Sequence, residues 1–161
     1  MRHRALAVVS LVASILGITY GSDAHASWNR EHGSQCFPMF GAYWEDQNYT
    51  VHNGANGDVN LELMCPAPDT DVNPKYSWTT VNVETNLGGS YGTVAAICED
   101  YWNGSGGACS ASGVVLGSGH QTIALGGSVS GVWSSYGESN FGYIYVNVGA
   151  GDDVRGIFYA D

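Results

Sequence analysis

The sequence is poor in positive charge, with five Lys and Arg residues against 15 Asp and Glu and a net charge of −10. A surface of this sign repels phosphate backbones and anionic lipid surfaces, which predicts no nucleic-acid partner. Cations, cationic protein partners and neutral glycans remain compatible with the charge, and solubility alone also explains it. After residue 26 the only Lys and Arg residues are Arg30, Lys75 and Arg155.

Motifs of common catalytic sites are also missing. The chain has no Gly-x-Ser-x-Gly elbow and no His-Glu-x-x-His pair, so neither a serine hydrolase nor a zinc protease is indicated. Ser118 lies two residues from His120, but closeness in sequence does not create triad geometry. The many carboxylates leave a glycosidase pair open, because such a pair is defined by spatial separation. The sequence favours a protein without enzymatic activity and leaves a small glycan hydrolase as an alternative.

Long apolar runs are absent apart from the N-terminus. Residues 1–4 are basic, residues 5–18 are apolar, and Ala24-His25-Ala26 fits the small-x-small cleavage rule. The apolar run is shorter than the ~20 residues of a spanning helix, so residues 1–26 are predicted to be a signal peptide. Residues 27–161 then form a single domain without a membrane span, located outside the cell or in the periplasm.

Four cysteines follow the predicted signal peptide, and an even number in an exported chain indicates disulfides. Three pairings are available. We predict Cys36–Cys65 and Cys98–Cys109, because each closes a local loop. Zinc is the rival interpretation, but the sequence has no Cys-x2-Cys pair.

Alternating apolar and polar residues predict β-strands over residues 58–65, 78–85 and 141–148. Residues 91–98 are small and apolar, as in a strand covered on both faces. No helical period stands out, and turn residues, including 23 glycines, separate the short strands. These features predict an all-β fold, an antiparallel β-sandwich with short strands and two disulfides.

Three segments carry more specific expectations. Residues 27–35 are polar and are predicted to be a loosely held arm. Residues 99–107 are predicted to be a loop closed by the second disulfide. Residues 154–159 are predicted to be a last strand that pairs with the strand before it.

The spacing Cys36-x-Pro38, Cys65-Pro66, Cys98 and Gly107-Ala108-Cys109, followed by an aromatic strand at residues 141–145, resembles a set of small secreted bacterial proteins. The resemblance covers most of the chain after residue 26. It implies a secreted, two-disulfide β-domain, exported by a Gram-negative bacterium. It implies no active site, because the set has no assigned function.

Two groups of side chains are candidate sites. Sugars stack on exposed aromatic faces, which makes Trp44, Tyr101 and Trp102 candidate ligand-binding residues. We expect the contact to centre on residues 99–108, since the disulfide reduces the entropy cost of ordering that loop. A Trp102 that folds back onto the end of the sandwich is the alternative. Oxygen ligands alternate in one acidic loop, where calcium is the candidate ion and a solvated turn the simpler interpretation: Asp69, Asp71 and Asn73.

No other cofactor is predicted. The favoured function is a secreted non-catalytic module for binding or extracellular assembly, with a glycan, a protein or a second copy as partner. The alternatives are a carbohydrate-binding module or small glycan hydrolase, and a subunit of an extracellular fibre. The fibre hypothesis is favoured by free strand edges, or by residues 27–35 if they reach a neighbouring subunit.

Overall fold

The computed structural model describes residues 28–54, 60–68, 78–88, 91–101, 107–125, 133 and 140–161. Within these ranges, backbone alone is described for residues 28, 101, 110, 111 and 140. The predicted signal peptide, the acidic loop with Asp69, Asp71 and Asn73, and Trp102 lie outside the described residues. No helix in the described ranges has the length and apolar character needed to cross a bilayer.

Eleven strands and one 3-10 turn, Gly33–Gln35, make up the described fold. In chain order the strands are β1 (Trp28–His32), β2 (Phe37–Phe40), β3 (Tyr43–Glu45), β4 (Val51–Asn53), β5 (Leu61–Pro66), β6 (Thr80–Leu87), β7 (Thr93–Tyr101), β8 (Gly107–Val115), β9 (Gly119–Ala124), β10 (Asn140–Val148) and β11 (Asp153–Ala160).

Two antiparallel sheets form a β-sandwich, as predicted. The six-stranded sheet has the order β3-β4-β11-β6-β9, and β1 pairs with β11 beside β4. The five-stranded sheet has the order β2-β5-β10-β7-β8. All strand pairs are antiparallel.

The core lies between the sheets and follows the alternation of the sequence. In β5, Leu61, Leu63 and Cys65 are buried while their neighbours are half-buried. The strands β6 and β10 show the same pattern, with Val81 and Val83, and with Ile144 and Val146, directed inward. The largest core side chains are aromatic, and they are Trp78, Trp133 and Tyr159.

Both predicted disulfides are present, and both belong to the five-stranded sheet. Cys36–Cys65 joins the start of β2 to β5, and Cys98–Cys109 joins directly opposed residues of β7 and β8. The described cysteines leave no free thiol.

The predicted loop at residues 99–107 was too long. The strand β7 continues to Tyr101 and β8 begins at Gly107, because the ladder extends beyond the disulfide through Glu99–Ala108 and Asp100–Gly107 pairs. Glu99 is buried, so its side chain belongs to the sandwich interior, whereas Asp100 and Ala108 are exposed.

Two predictions about the chain ends were wrong. The predicted loose arm contains β1, which pairs with β11 from Trp28 opposite Ala160 to His32 opposite Gly156. The last strand does not pair with the strand before it, since β11 lies in the six-stranded sheet between β6 and β4. The short turn after Val148 therefore carries the chain from one sheet to the other.

Candidate functional site

The outer face of the six-stranded sheet concentrates polar side chains. In β6, Val81, Val83 and Thr85 point into the core, so Asn82, Glu84 and Asn86 point outward. Residues directly opposed in neighbouring strands point to the same side of a sheet. The pairing register therefore identifies the other residues on this face.

One line of opposed residues crosses the sheet on this outer side. Trp44 is opposite His52, His52 is opposite Asp153, Asp153 is opposite Asn86, and Asn86 is opposite His120. These five residues come from β3, β4, β11, β6 and β9 in that order. We call them the cross-sheet row.

The aromatic end of the row is exposed. The rings of Trp44 and His52 are parallel within 4° and their centroids lie 3.8 Å apart. His52 covers the side of the indole that faces the sheet centre, yet Trp44 remains 53% exposed. About half of Trp44 is therefore open to solvent at β3, the edge strand of the sheet, where the indole can take a flat apolar surface.

Carboxylates hold His52 from two sides. Its Nε2 lies 3.4 Å from Asp46 Oδ2, and its Nδ1 lies 3.6 Å from Asp153 Oδ2. The Asn86 amide donates to the same Asp153 oxygen at 3.3 Å. Arg155 Nε lies 3.7 Å from Asp153 Oδ1, a buried oxygen that accepts no hydrogen bond from the described residues. At the centre of the row, Asp153 Oδ1 is thus a buried acceptor without a hydrogen bond from the described residues, and the half-exposed Arg155 side chain lies next to it.

Asp46 also shapes the turn between β3 and β4. Its Oδ1 accepts the backbone N–H groups of Asn48 at 2.7 Å and Thr50 at 3.1 Å. The hydrogen bond from Thr50 is the main cause that lowers the pKa of Asp46, while desolvation opposes it and Asn48 and His52 add to the lowering. The carboxylate therefore stays charged and keeps both the turn and His52 in position.

The opposite end of the row is also tied by hydrogen bonds. His120 Nε2 lies 2.8 Å from Glu84 Oε2, and the Thr122 hydroxyl donates to that same oxygen at 3.0 Å. Both contacts hold Glu84 close to β9.

The row presents donors, acceptors and one aromatic face, which is the composition of a recognition surface. No group of three or more His, Cys, Asp or Glu residues in the described part of the chain is arranged to hold a metal ion. A polar depression of about 350 Å³ lies beside the row and is bordered by Asp46, His52, Asp153 and Arg155.

One member of the cross-sheet row, Trp44, was predicted from the sequence as a ligand-binding residue. The other predicted ligand residues do not test the hypothesis, because Trp102 and the side chain of Tyr101 lie outside the described residues. His52, Asp153, Asn86 and His120 were not named. Each is an ordinary polar residue in its own strand, and only the pairing of distant strands brings them into one line.

Exposed apolar side chains lie on the segment that passes from one sheet to the other. Large exposed members of this segment are Phe37, Met39, Phe40 and Tyr43. Phe37, Met39 and Phe40 belong to β2 of the five-stranded sheet, away from the row. They provide exposed positions for control substitutions.

Glu31 on β1 has a pKa well above the usual range of a carboxyl group. Burial raises the pKa of Glu31 from 4.5 to about 7, and its charge contributes to the raised pKa of the buried Tyr159. Glu31 is opposite Ile157, a core residue. Its side chain is thus on the inner side of the sheet.

This burial predicts a pH dependence of stability. The folded protein holds the Glu31 proton more tightly than the unfolded chain, so the stabilisation is complete below about pH 4.5 and is lost as the pH rises through about 7. We expect Glu31→Gln to flatten the fall in melting temperature between pH 4.5 and 7. Thermal unfolding at several pH values tests this, and parallel curves for the two proteins would contradict it.

Comparison with known proteins gives little further information. No protein-family model matches the chain, and no curated protein matches it. One similar solved structure is a family 11 carbohydrate-binding module from Clostridium thermocellum in complex with a β-1,3-1,4-mixed-linked tetrasaccharide. The identity is 15%, the match covers 87% of this chain and 91% of that chain, and the TM-score is 0.42. At these values the similarity assigns neither a ligand nor a binding residue here.

Proposed function

We propose that this protein is a secreted, non-catalytic module that binds a glycan chain across the outer face of its six-stranded sheet. The observation that carries the proposal is the cross-sheet row, in which an exposed indole face is followed by imidazole, carboxylate and amide groups. Two disulfides support the secreted part of the proposal, because disulfides persist in oxidising compartments.

Sugars match both parts of the row. The C–H faces of a pyranose ring are apolar and slightly positive, so they pack on the negative face of an aromatic ring such as Trp44. Sugar hydroxyls both donate and accept hydrogen bonds. Asn86 and His120 supply groups that satisfy hydroxyls in either role, while the buried Asp153 holds His52 and Asn86 in position.

The length of the row favours a chain over a single sugar. It crosses five strands, and strands lie ~4.8 Å apart, so the line from Trp44 to His120 spans about 19 Å. Several sugar rings are needed to contact both ends. We therefore expect affinity to rise with oligosaccharide length until the row is filled.

The fibre hypothesis loses one of the two features that would favour it, because Trp28–His32 forms β1 within the chain's own sheet and is not an arm that reaches a neighbour. The other feature, a strand edge, is present in both sheets, whose strand orders end at β3 and β9 and at β2 and β8. The glycan hypothesis gains support from Trp44, which is exposed, whereas Trp78 and Trp133 are buried.

The decisive variant is Trp44→Ala. We expect it to weaken binding to the recognised glycan at least tenfold, because the loss of one stacked aromatic removes roughly 1.4 kcal/mol or more of binding free energy. The change should have little effect on the melting temperature, since Trp44 is exposed. Isothermal titration calorimetry against a panel of soluble oligosaccharides and thermal unfolding measure the two quantities.

Phe40→Ala is the matched control, because Phe40 is an aromatic residue of similar exposure on the other sheet. It should leave the affinity unchanged. Equal loss in both variants would point to a different surface. Failure of every glycan to bind the wild-type protein would reject the proposed function.

A further inference from the structure

The scarce basic side chains are gathered on the same sheet face. After residue 26 the chain has six Arg, Lys and His residues: Arg30, His32, His52, Lys75, His120 and Arg155. Lys75 lies outside the described residues. Strand pairing and contacts place the other five on the outer face of the six-stranded sheet. These two Arg and three His residues share the face with the carboxylates of Asp46, Glu84 and Asp153.

A depression of about 430 Å³ lies among these groups. Gly156 is at its floor, with His32 opposite on β1 and Glu84 opposite on β6. Glycine is required there, because a Cβ atom would lie 2.4 Å from the Glu31 carbonyl oxygen. The missing side chain leaves space between the neighbouring outward-facing residues.

A bulge directs Arg155 toward this depression. The register of β11 against β6 shifts between Val154 and Gly156, so Arg155 is an extra residue that has no direct partner in β6. Its side chain is about half exposed and borders the depression. On the other side, Arg30 lies over the Phe158 ring at 5.8 Å from its centroid. Two guanidinium groups therefore flank the same space.

The acidic groups nearby are already engaged or directed elsewhere. One carboxylate oxygen of Glu84 contacts His120 Nε2 and accepts a hydrogen bond from the Thr122 hydroxyl. Glu31 borders the depression but is opposite the buried Ile157, which directs its side chain to the inner face. Arg155 is held by Asp153 only at 3.7 Å. The depression is consequently lined by two guanidinium groups, those of Arg30 and Arg155, and by one outward-facing carboxylate, that of Glu84.

We propose that this depression binds an anionic group on the glycan, so that the preferred ligand is an acidic polysaccharide. The planar guanidinium groups of Arg155 and Arg30 match the paired oxygens of a carboxylate or a sulfate ester. The space next to the cross-sheet row lets one chain place its sugar rings on the row and an acidic substituent over Gly156. This inference rests on the proposed glycan function and specifies its ligand class. It differs from the neutral glycans that the overall charge suggests.

The test uses ligands that differ in charge alone. An oligogalacturonate and its methyl ester have the same sugars and length, but the ester lacks the anionic charge. We expect the acid to bind the wild-type protein at least tenfold more tightly than the ester. Dextran sulfate, with dextran as its neutral control, distinguishes a sulfate preference from a carboxylate preference.

Matched variants locate the effect. Arg155→Gln should weaken binding of the acidic ligand about tenfold and leave the neutral ligand unchanged, whereas Arg155→Lys retains the charge and should lose less. Arg155 is about half exposed, so we expect both variants to fold, and thermal unfolding checks this.

Each outcome has a distinct meaning. Equal affinity for acid and ester, with binding that depends on Trp44, would overturn the anionic inference and leave the proposed function intact. Binding of dextran sulfate with loss in Arg155→Gln would support the inference with a sulfate ligand. Equal binding of poly-glutamate would support an anion site but reject glycan recognition, and absence of all binding would reject both.

Discussion

Replacing Asp152 by alanine is expected to lower the free energy of unfolding by about 3–5 kcal/mol. Asp152 is buried in the turn between β10 and β11, at 1% exposure. One carboxylate oxygen accepts the Gly88 backbone N–H at 2.7 Å, and the other accepts the Thr93 hydroxyl at 3.1 Å. Alanine removes two hydrogen bonds to a charged group and leaves the buried Thr93 hydroxyl without this partner.

The effect should be large because Asp152 connects the two sheets. Gly88 follows β6 of the six-stranded sheet, and Thr93 begins β7 of the five-stranded sheet. Asp152→Asn is the matched control. It keeps one acceptor for Gly88, so we expect a smaller loss. Urea unfolding at pH 7 measures both variants, and a loss below about 1 kcal/mol in Asp152→Ala would show that the turn is held in another way.

Removal of the Cys36–Cys65 disulfide is expected to cost about 3.5 kcal/mol of stability. The bond joins residues separated by 29 positions, and the chain-entropy model assigns roughly this value to a loop of that length. Both cysteines are buried, so the paired change Cys36→Ala and Cys65→Ala avoids leaving hydroxyl groups in the core. The dependence of unfolding free energy on urea should also become steeper, because the unfolded chain exposes more surface.

The second disulfide supplies the comparison. Cys98–Cys109 closes a separation of 11 positions, for which the same model gives about 3 kcal/mol. Its paired removal should therefore cost somewhat less. If the 98–109 variant loses more than the 36–65 variant, native-state contacts of these residues outweigh the entropy of the unfolded chain.

The sandwich could be predicted from local pattern, because the alternation of apolar and polar residues is visible within each strand by itself. Leu61 and Leu63, or Ile144 and Val146, are separated by one residue and can be assigned to a face without knowledge of their partners. The disulfide pairing was also predictable, since each bond closes a local loop.

Sequence did not predict which strands become neighbours. The polar residues 27–35 gave no sign of a strand, because β1 is stabilised by its ladder with β11 and not by an apolar period of its own. The last strand was assigned to the wrong sheet for the same reason. A one-turn connection predicts a hairpin, but the burial of Asp152 and the pairing with β6 direct β11 to the opposite layer.

The candidate site was largely unpredictable for the same reason, since its residues meet only through the pairing of distant strands. Trp44 was predicted from its residue type, but its partners come from segments up to about a hundred positions away, such as His52 against Asp153. The depression at Gly156 was even less predictable from the sequence, because it depends on a bulge in β11 and on a glycine, which has no side chain that could indicate a site.

The central position of β11 determines when, during synthesis and folding of the chain, the cross-sheet row forms. This last strand contacts β1, β4 and β6, and it pairs residues as distant as Trp28 and Ala160. Contacts of such long sequence separation form slowly, because loop-closure entropy is lost before they stabilise the chain. A nascent chain that lacks residues 153–160 has no strand to join β4 to β6. The cross-sheet row is therefore assembled only after synthesis of this segment, so the proposed glycan site is absent from a partly made chain.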